Sequence, residues 1–205
     1  MADDWESLAR EMSGCVACPL SQSRTQVVPG AWRPGAQVLL VGEAPGRDED
    51  EGGLPFIGRS GRLLDELLDA AGLTRADMAV VNTVKCRPPA NRTPRRAEAA
   101  TCRKWLDRQV AVVAPEVVVT LGGSALAWAL GTGRRLGAER GRVHRVQLPS
   151  GVGRHYDVVP TYHPAAALRF GPAGEPRAAL AADLQLVAAL AAGRAELPAT
   201  GGGDA

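Results

Sequence analysis

No apolar run in this 205-residue chain approaches the roughly eighteen residues that a membrane helix needs; the longest, residues 117–130, is broken by Gly122, Gly123 and Ser124. No membrane partner is expected. Residues 1–14 carry Asp3, Asp4, Glu6 and Glu11 and no apolar stretch, so a secretory signal is not expected and a cytoplasmic address is. Nucleotide-binding signatures are missing too, with neither G-x-x-x-x-G-K-[ST] nor G-x-G-x-x-G present, and no nucleotide cofactor is expected. Histidine is scarce: His144, His155 and His163 form no ligand pair at helical spacing, and the absence of H-E-x-x-H argues against a metal-dependent hydrolase.

What is present describes an ordinary globular chain, 45% hydrophobic and 22% charged. Its length suits one domain over residues 1–192 followed by a flexible tail at 193–205, with a monomer as the default. The formal net charge of +2 does not announce a polyanionic partner. Distribution says more. Lys85, Arg87, Arg92, Arg95, Arg96, Arg103, Lys104 and Arg108 face only Glu98 and Asp107, and residues 134–154 hold Arg134, Arg135, Arg140, Arg142, Arg145 and Arg154 against Glu139 alone.

β-branched runs at 37–41, 79–84 and 116–121 read as buried strands, with weaker strands at 142–148 and 156–160. Between them lie helical patterns. Leu63, Leu64, Leu67 and Leu68 share a face after Ser60, and Thr93 with Pro94 are expected to start a helix that runs to about Val113. A short helix over 124–130 and a longer one over 177–192 follow. This alternation predicts a mainly parallel sheet covered on both faces, a three-layer α/β/α sandwich whose sites lie at the carboxyl ends of the strands.

Four cysteines form a C-x2-C at Cys15 and Cys18 and a distant C-x15-C at Cys86 and Cys102. In a reducing compartment such a set holds zinc or an iron–sulfur cluster, and the spacing leaves both open. Either would staple the N-terminal segment onto the α/β core. A non-catalytic zinc-stapled module that binds nucleic acid would use the cysteines and the arginine clusters, but leaves other residues unexplained. Glu43 stands in the turn Gly42-Glu43-Ala44-Pro45-Gly46 after the first strand, Asn82 ends the second, and His163 follows the last; Phe56 and Asn91 lie in loops between. A carboxylate, an amide able to read a base edge, an imidazole and an aromatic ring, set among arginines, are the parts needed to hold and cleave a flipped nucleobase.

These residues sit in longer motifs: Gly42-Glu43-Ala44-Pro45-Gly46 with Asp48-Glu49-Asp50, Pro55-Phe56-Ile57-Gly58, Asn82-Thr83-Val84-Lys85-Cys86-Arg87-Pro88-Pro89-x-Asn91-Arg92, and His163-Pro164-Ala165-Ala166-x-Leu168-Arg169. With Cys15-x-x-Cys18, they resemble the family-four, iron–sulfur uracil-DNA glycosylases across about residues 15–190. The resemblance implies a [4Fe-4S] cluster on Cys15, Cys18, Cys86 and Cys102, and uracil-containing DNA as the partner, single- or double-stranded. It implies that Glu43 orients water or supports the sugar cation and that His163 hydrogen-bonds uracil O2. Phe56 would stack on the base, Asn82 would read its edge, and Gly42, Glu49 and Asn91 would complete the pocket, with Glu49 in the space a thymine methyl would take. Arg87, Arg92 and Arg95, with the stretch around Arg140 and Arg142, are expected to contact phosphates. Leu168 and Arg169 are expected either to wedge into the vacated stack or to start a helix packed on the core. A related branch that bonds covalently to its DNA carries a histidine after the Arg-Pro segment; residues 88–98 contain none, so turnover is expected.

Overall fold

In the computed structural model, which describes residues 4–148 and 153–193, every residue of β1 (Val38–Gly42), β2 (Ala79–Asn82) and β3 (Val117–Leu121) is buried. Runs without a polar face are what a sheet covered on both sides demands. The five strands, with β4 (His144–Gln147) and β5 (His155–Thr161), lie in the order β2-β1-β3-β5-β4. All neighbours pair in parallel except the edge strand β4, which runs antiparallel to β5 and alternates half-buried with exposed residues.

Side chains of alternate residues feed two cores. Val38, Leu40, Val80, Val119 and Val159 meet Leu64 and Leu68 of α3 (Arg59–Ala70) and Leu180, Leu184 and Val187 of α8 (Glu175–Ala191). On the opposite face Leu39, Val41, Val81, Val118 and Val158 meet Leu106 and Val110 of α4 (Arg96–Val113) and Ala125 of α5 (Gly123–Leu130). The expected three-layer sandwich is therefore the fold. A third cluster joins Leu8 and Met12 of α1 (Trp5–Ser13) to Leu20, Val84, Cys86, Cys102 and Trp105, so the N-terminal segment packs on α4. No helix among the described residues is long and apolar enough to cross a membrane.

Chain order and strand order diverge at β1, which has β2 on one side and β3 on the other. Connections that leave β1 and β3 in opposite directions open a crevice at their carboxyl ends, where an open α/β sheet puts its site.

Several boundaries differ from expectation. The helix predicted from Thr93 and Pro94 begins at Arg96, because Glu98 reaches back to accept the Arg95 amide at 2.7 Å and so satisfies a first-turn donor. β2 does end at Asn82, although the β-branched run extends to Val84: Thr83 and Val84 still donate to the Gly42 and Glu43 carbonyls, but as loop. The acidic run, read as no element, forms α2 (Arg47–Gly52), with Glu49 capping the Gly46 amide. The residues after His163 form a helix, α7 (Pro164–Phe170), and α6 (Leu136–Glu139) is a single turn. Of the tail expected at 193–205, all but Gly193 lies outside the described residues.

Candidate active site

The crevice holds a cavity of about 520 Å³ that Glu43, Glu49, Phe56, Asn82, Asn91, Arg92 and His163 line together. Residues from five separate segments thus face one space. Gly42 pairs in register with Asn82 on the neighbouring strand. A Cβ on it would fall 2.7 Å from Phe56 Cζ and collide with Asn82 Oδ1, so the bare backbone of Gly42 lets the ring and the amide close in over the strand end.

Phe56 stacks on His163, ring centroids 5.6 Å apart at 28°. Its backbone is left-handed, φ +54°, a conformation that costs a non-glycine residue on the order of 1–3 kcal/mol and is kept only where surroundings enforce it. Gly61 of α3 is part of that enforcement, since any side chain there would run into the Phe56 carbonyl.

Asn82 is 3% exposed, and its Oδ1 has no hydrogen-bond partner. Among the described buried side-chain atoms in that condition, it is the one on this cavity. A buried acceptor left unpaired costs about 1–3 kcal/mol, which a ligand N–H would recover.

His163 caps α7, its Nδ1 accepting the Ala165 amide at 3.1 Å. Burial pulls the imidazole down to about 4, against the upward pull of the Glu43 carboxylate. At neutral pH the ring is uncharged, and with Nδ1 accepting, the proton resides on Nε2 as a donor.

Glu43 Oε2 accepts from Ser124 Oγ at 2.5 Å, while its main-chain carbonyl accepts Thr83 Oγ1 at 2.6 Å. The carboxylate is held by α5, in a partnership the sequence reading missed; Ser124 follows Gly122 and Gly123 directly, and that turn after a strand was its only trace.

The remaining predicted residues are placed less uniformly. Both Glu49 oxygens are engaged, Oε2 by the Gly46 amide at 3.0 Å and Oε1 by the Gly58 amide at 2.9 Å, so this wall of the cavity is rigid. Asn91 is exposed and takes the Arg87 Nε at 2.7 Å. Arg92 makes a two-pronged pair with buried Glu98, 2.8 and 2.7 Å, which holds that carboxyl down at about 2 through those bonds. Arg140 is likewise paired with buried Asp183. Neither guanidinium is the free cation that the phosphate expectation supposed. Arg87, Leu168 and Arg169 border an adjoining groove of about 570 Å³ that Arg47 and Arg59 also line, two cations the sequence reading did not select. Leu168 lies within α7 yet is 38% exposed, so its side chain is not packed in the core.

Cys15, Cys18, Cys86 and Cys102 line one cavity with Arg24, Lys85 and Trp105. Among the described residues no three His, Cys, Asp or Glu side chains are grouped so as to hold a single metal ion. The donor set nevertheless suits a thiolate-bound group: Arg24 Nη1 donates to Cys86 Sγ at 3.1 Å and Trp105 Nε1 to Cys15 Sγ at 3.4 Å, bonds that stabilise negative sulfur. Burial pushes the Cys86 thiol up to about 11 despite Arg24, and raises Cys102 despite Lys85. Lys85 is fully buried, brought down to about 8 by desolvation and held up by Cys102 and Cys86; its Nζ donates to the Asn82 carbonyl at 2.5 Å.

An uncharged imidazole and an unpaired amide oxygen within one cavity suit recognition of a flat heterocycle, and comparison with known proteins agrees. The model of the Uracil DNA glycosylase superfamily matches residues 29–185, and the chain belongs to that superfamily. It is 40% identical over 164 residues to the Type-4 uracil-DNA glycosylase of Thermotoga maritima, covering 80% of this chain and 83% of that one. With the Type-4 uracil-DNA glycosylase of Sulfurisphaera tokodaii the identity is 39% over 171 residues, 81% of this chain and 76% of the relative. A Type-5 uracil-DNA glycosylase from Thermus thermophilus is 31% identical over 194 residues.

Proposed function

We propose that this chain is a monofunctional uracil-DNA glycosylase, which takes an extruded uracil from DNA and hydrolyses its N-glycosidic bond to leave an abasic site. The observation that carries this is the unpaired Oδ1 of Asn82 in a cavity walled by Phe56 and His163. Uracil presents N3–H to that oxygen and O4 to the amide NH₂; cytosine presents an acceptor and a donor in the same places, and both bonds are lost.

Cleavage breaks the C1′–N1 bond with its electron pair leaving on the base, so negative charge grows on uracil O2 and positive charge on the sugar. The Nε2–H of neutral His163 donates to O2, and a preorganised donor of this kind contributes on the order of 3 kcal/mol to lowering the barrier. Glu43, oriented by Ser124, faces the sugar cation as an anion and accepts the proton of the water that adds to C1′. The departing uracil anion is protonated by solvent. Phe56 stacks on the base, Glu49 fills the space of a thymine methyl, and Gly42 and Asn91 complete the enclosure. DNA backbone would follow the groove bordered by Arg87 and Arg169, with Leu168 beside the extruded nucleotide. A [4Fe-4S] cluster, held by Cys15, Cys18, Cys86 and Cys102, would supply a staple between the N-terminal segment and α4.

The test is release of free uracil from a defined oligonucleotide by the purified protein, beside Glu43→Ala and His163→Ala. Each variant is expected to lose at least 100-fold in kcat, about the effect of one removed transition-state contact. Unchanged turnover in both would overturn the assignment.

A further inference from the structure

The aromatic wall of the cavity is held from behind. Arg75 follows α3 in the chain and lines a different cavity, of about 440 Å³, with Pro55, Ile57 and Asp65. From there its Nη1 donates to the Phe56 carbonyl at 2.6 Å. Nη2 and Nε meanwhile hold the two oxygens of Asp65, each at 2.8 Å, so the plane of the guanidinium is fixed by α3. Phe56 is the residue with φ +54°.

We infer that Arg75 is a positioning residue for base stacking, which keeps Phe56 in its left-handed backbone through the carbonyl and so keeps the ring stacked on His163. Asp65 orients Arg75 and does not approach the cavity. Glycine 61 makes room for the Phe56 carbonyl group and Gly42 for its ring; neither pulls on it, whereas Arg75 does. Only a planar fork can hold a carboxylate with one edge and a carbonyl with another nitrogen, so lysine is no substitute here. A Phe56 released from Arg75 relaxes toward negative φ, and its ring leaves the stack.

This inference rests on the reading of the cavity as a uracil pocket, and two measurements separate them. The first needs no activity: the carbon-bound ring protons of His163 carry an aromatic ring-current shift from Phe56, read by NMR in the full-length protein. That shift is expected to collapse in Arg75→Ala and in Arg75→Lys, and Phe56→Leu marks its zero. A shift that persists in Arg75→Ala overturns the inference. The second is inhibition by free uracil, together with KM and kcat on a single-stranded uracil oligonucleotide. Arg75→Ala is expected to raise the uracil inhibition constant and KM about tenfold, the scale of one lost base–aromatic stack, with kcat changing less than threefold. In a Phe56→Leu background the same substitution is expected to add less than twofold, because the pair acts as one unit. A full tenfold penalty persisting in that background, or a lowered melting temperature with the inhibition constant unchanged, also overturns it. If the wild-type protein neither releases nor binds uracil while the His163 shift still collapses in Arg75→Ala, the clamp stands and the pocket assignment falls.

Discussion

Ser124 on α5 donates its hydroxyl hydrogen to Glu43 Oε2 across 2.5 Å, joining the end of β1 to the helix that follows β3. Two segments on either side of the crevice thereby fix one carboxylate. Ser124→Ala is expected to lower kcat about tenfold, the scale of one hydrogen bond to a charged group, with KM within twofold. Steady-state kinetics on a single-stranded substrate check this. An effect confined to KM would place Ser124 in binding instead.

Asn82→Ala removes both atoms that read the base edge. Uracil release is expected to fall at least 100-fold, and the ratio of uracil to cytosine excision to fall with it. Competition between two labelled oligonucleotides, one with each base, measures the ratio directly; an unchanged ratio would assign discrimination elsewhere.

Because His163 is depressed from 6.5 to about 4, the unfolded chain takes up a proton below pH 6.5 that the folded protein refuses until about pH 4. Stability from this residue is therefore complete above pH 6.5 and declines as pH falls from 6.5 toward 4. His163→Gln is expected to flatten that part of the curve of melting temperature against pH. The histidine's own titration by NMR should have its midpoint near 4; a midpoint near 6.5 would contradict a desolvated, uncharged ring.

Protein purified under air is expected to be brown with broad visible absorption, and Cys86→Ser to be colourless with a lower melting temperature. Colourless wild-type protein containing one zinc would instead favour the simpler metal, and iron and zinc analysis separates the two. Chelation by EDTA should leave uracil release intact.

Glu98→Gln breaks the two-pronged pair with Arg92 and weakens the cap on the Arg95 amide. A loss of about 2 kcal/mol in unfolding free energy at pH 7 is expected, from neutralising one partner of a buried, hydrogen-bonded ion pair. With Glu98 held at about 2 against an ordinary 4.5, its stabilisation is present above pH 4.5 and fades between 4.5 and 2. Denaturant melts of both proteins at pH 7 and pH 3 check the size and the convergence.

The layered architecture was legible in β-branched runs such as 37–41, because a strand buried on both faces has no choice but to be apolar throughout. Phe56, Asn82 and His163 were legible because each directly follows a strand or lies within a recognisable motif. Less was visible where one long-range partner decides the outcome. Thr93 and Pro94 have the composition of a helix start, yet the start lies at Arg96, since Glu98 supplies the cap from within the helix. Arg92 reads as a free cation until Glu98 is seen beneath it. The acidic run gives no apolar periodicity, and α2 forms because Glu49 satisfies the amides of Gly46 and Gly58. Ser124 and Arg75 were invisible for the same reason: their partners, Glu43 and Phe56, are remote in sequence and close only in the fold.

Glycine 42 imposes a limit on how this protein can change over time. Since the ring of Phe56 and the amide of Asn82 both occupy the volume that any side chain at that position would claim, a larger residue there would displace two recognition elements at once. A change at any one of these three positions is therefore tolerated only if the other two leave it room, which ties them sterically into one unit.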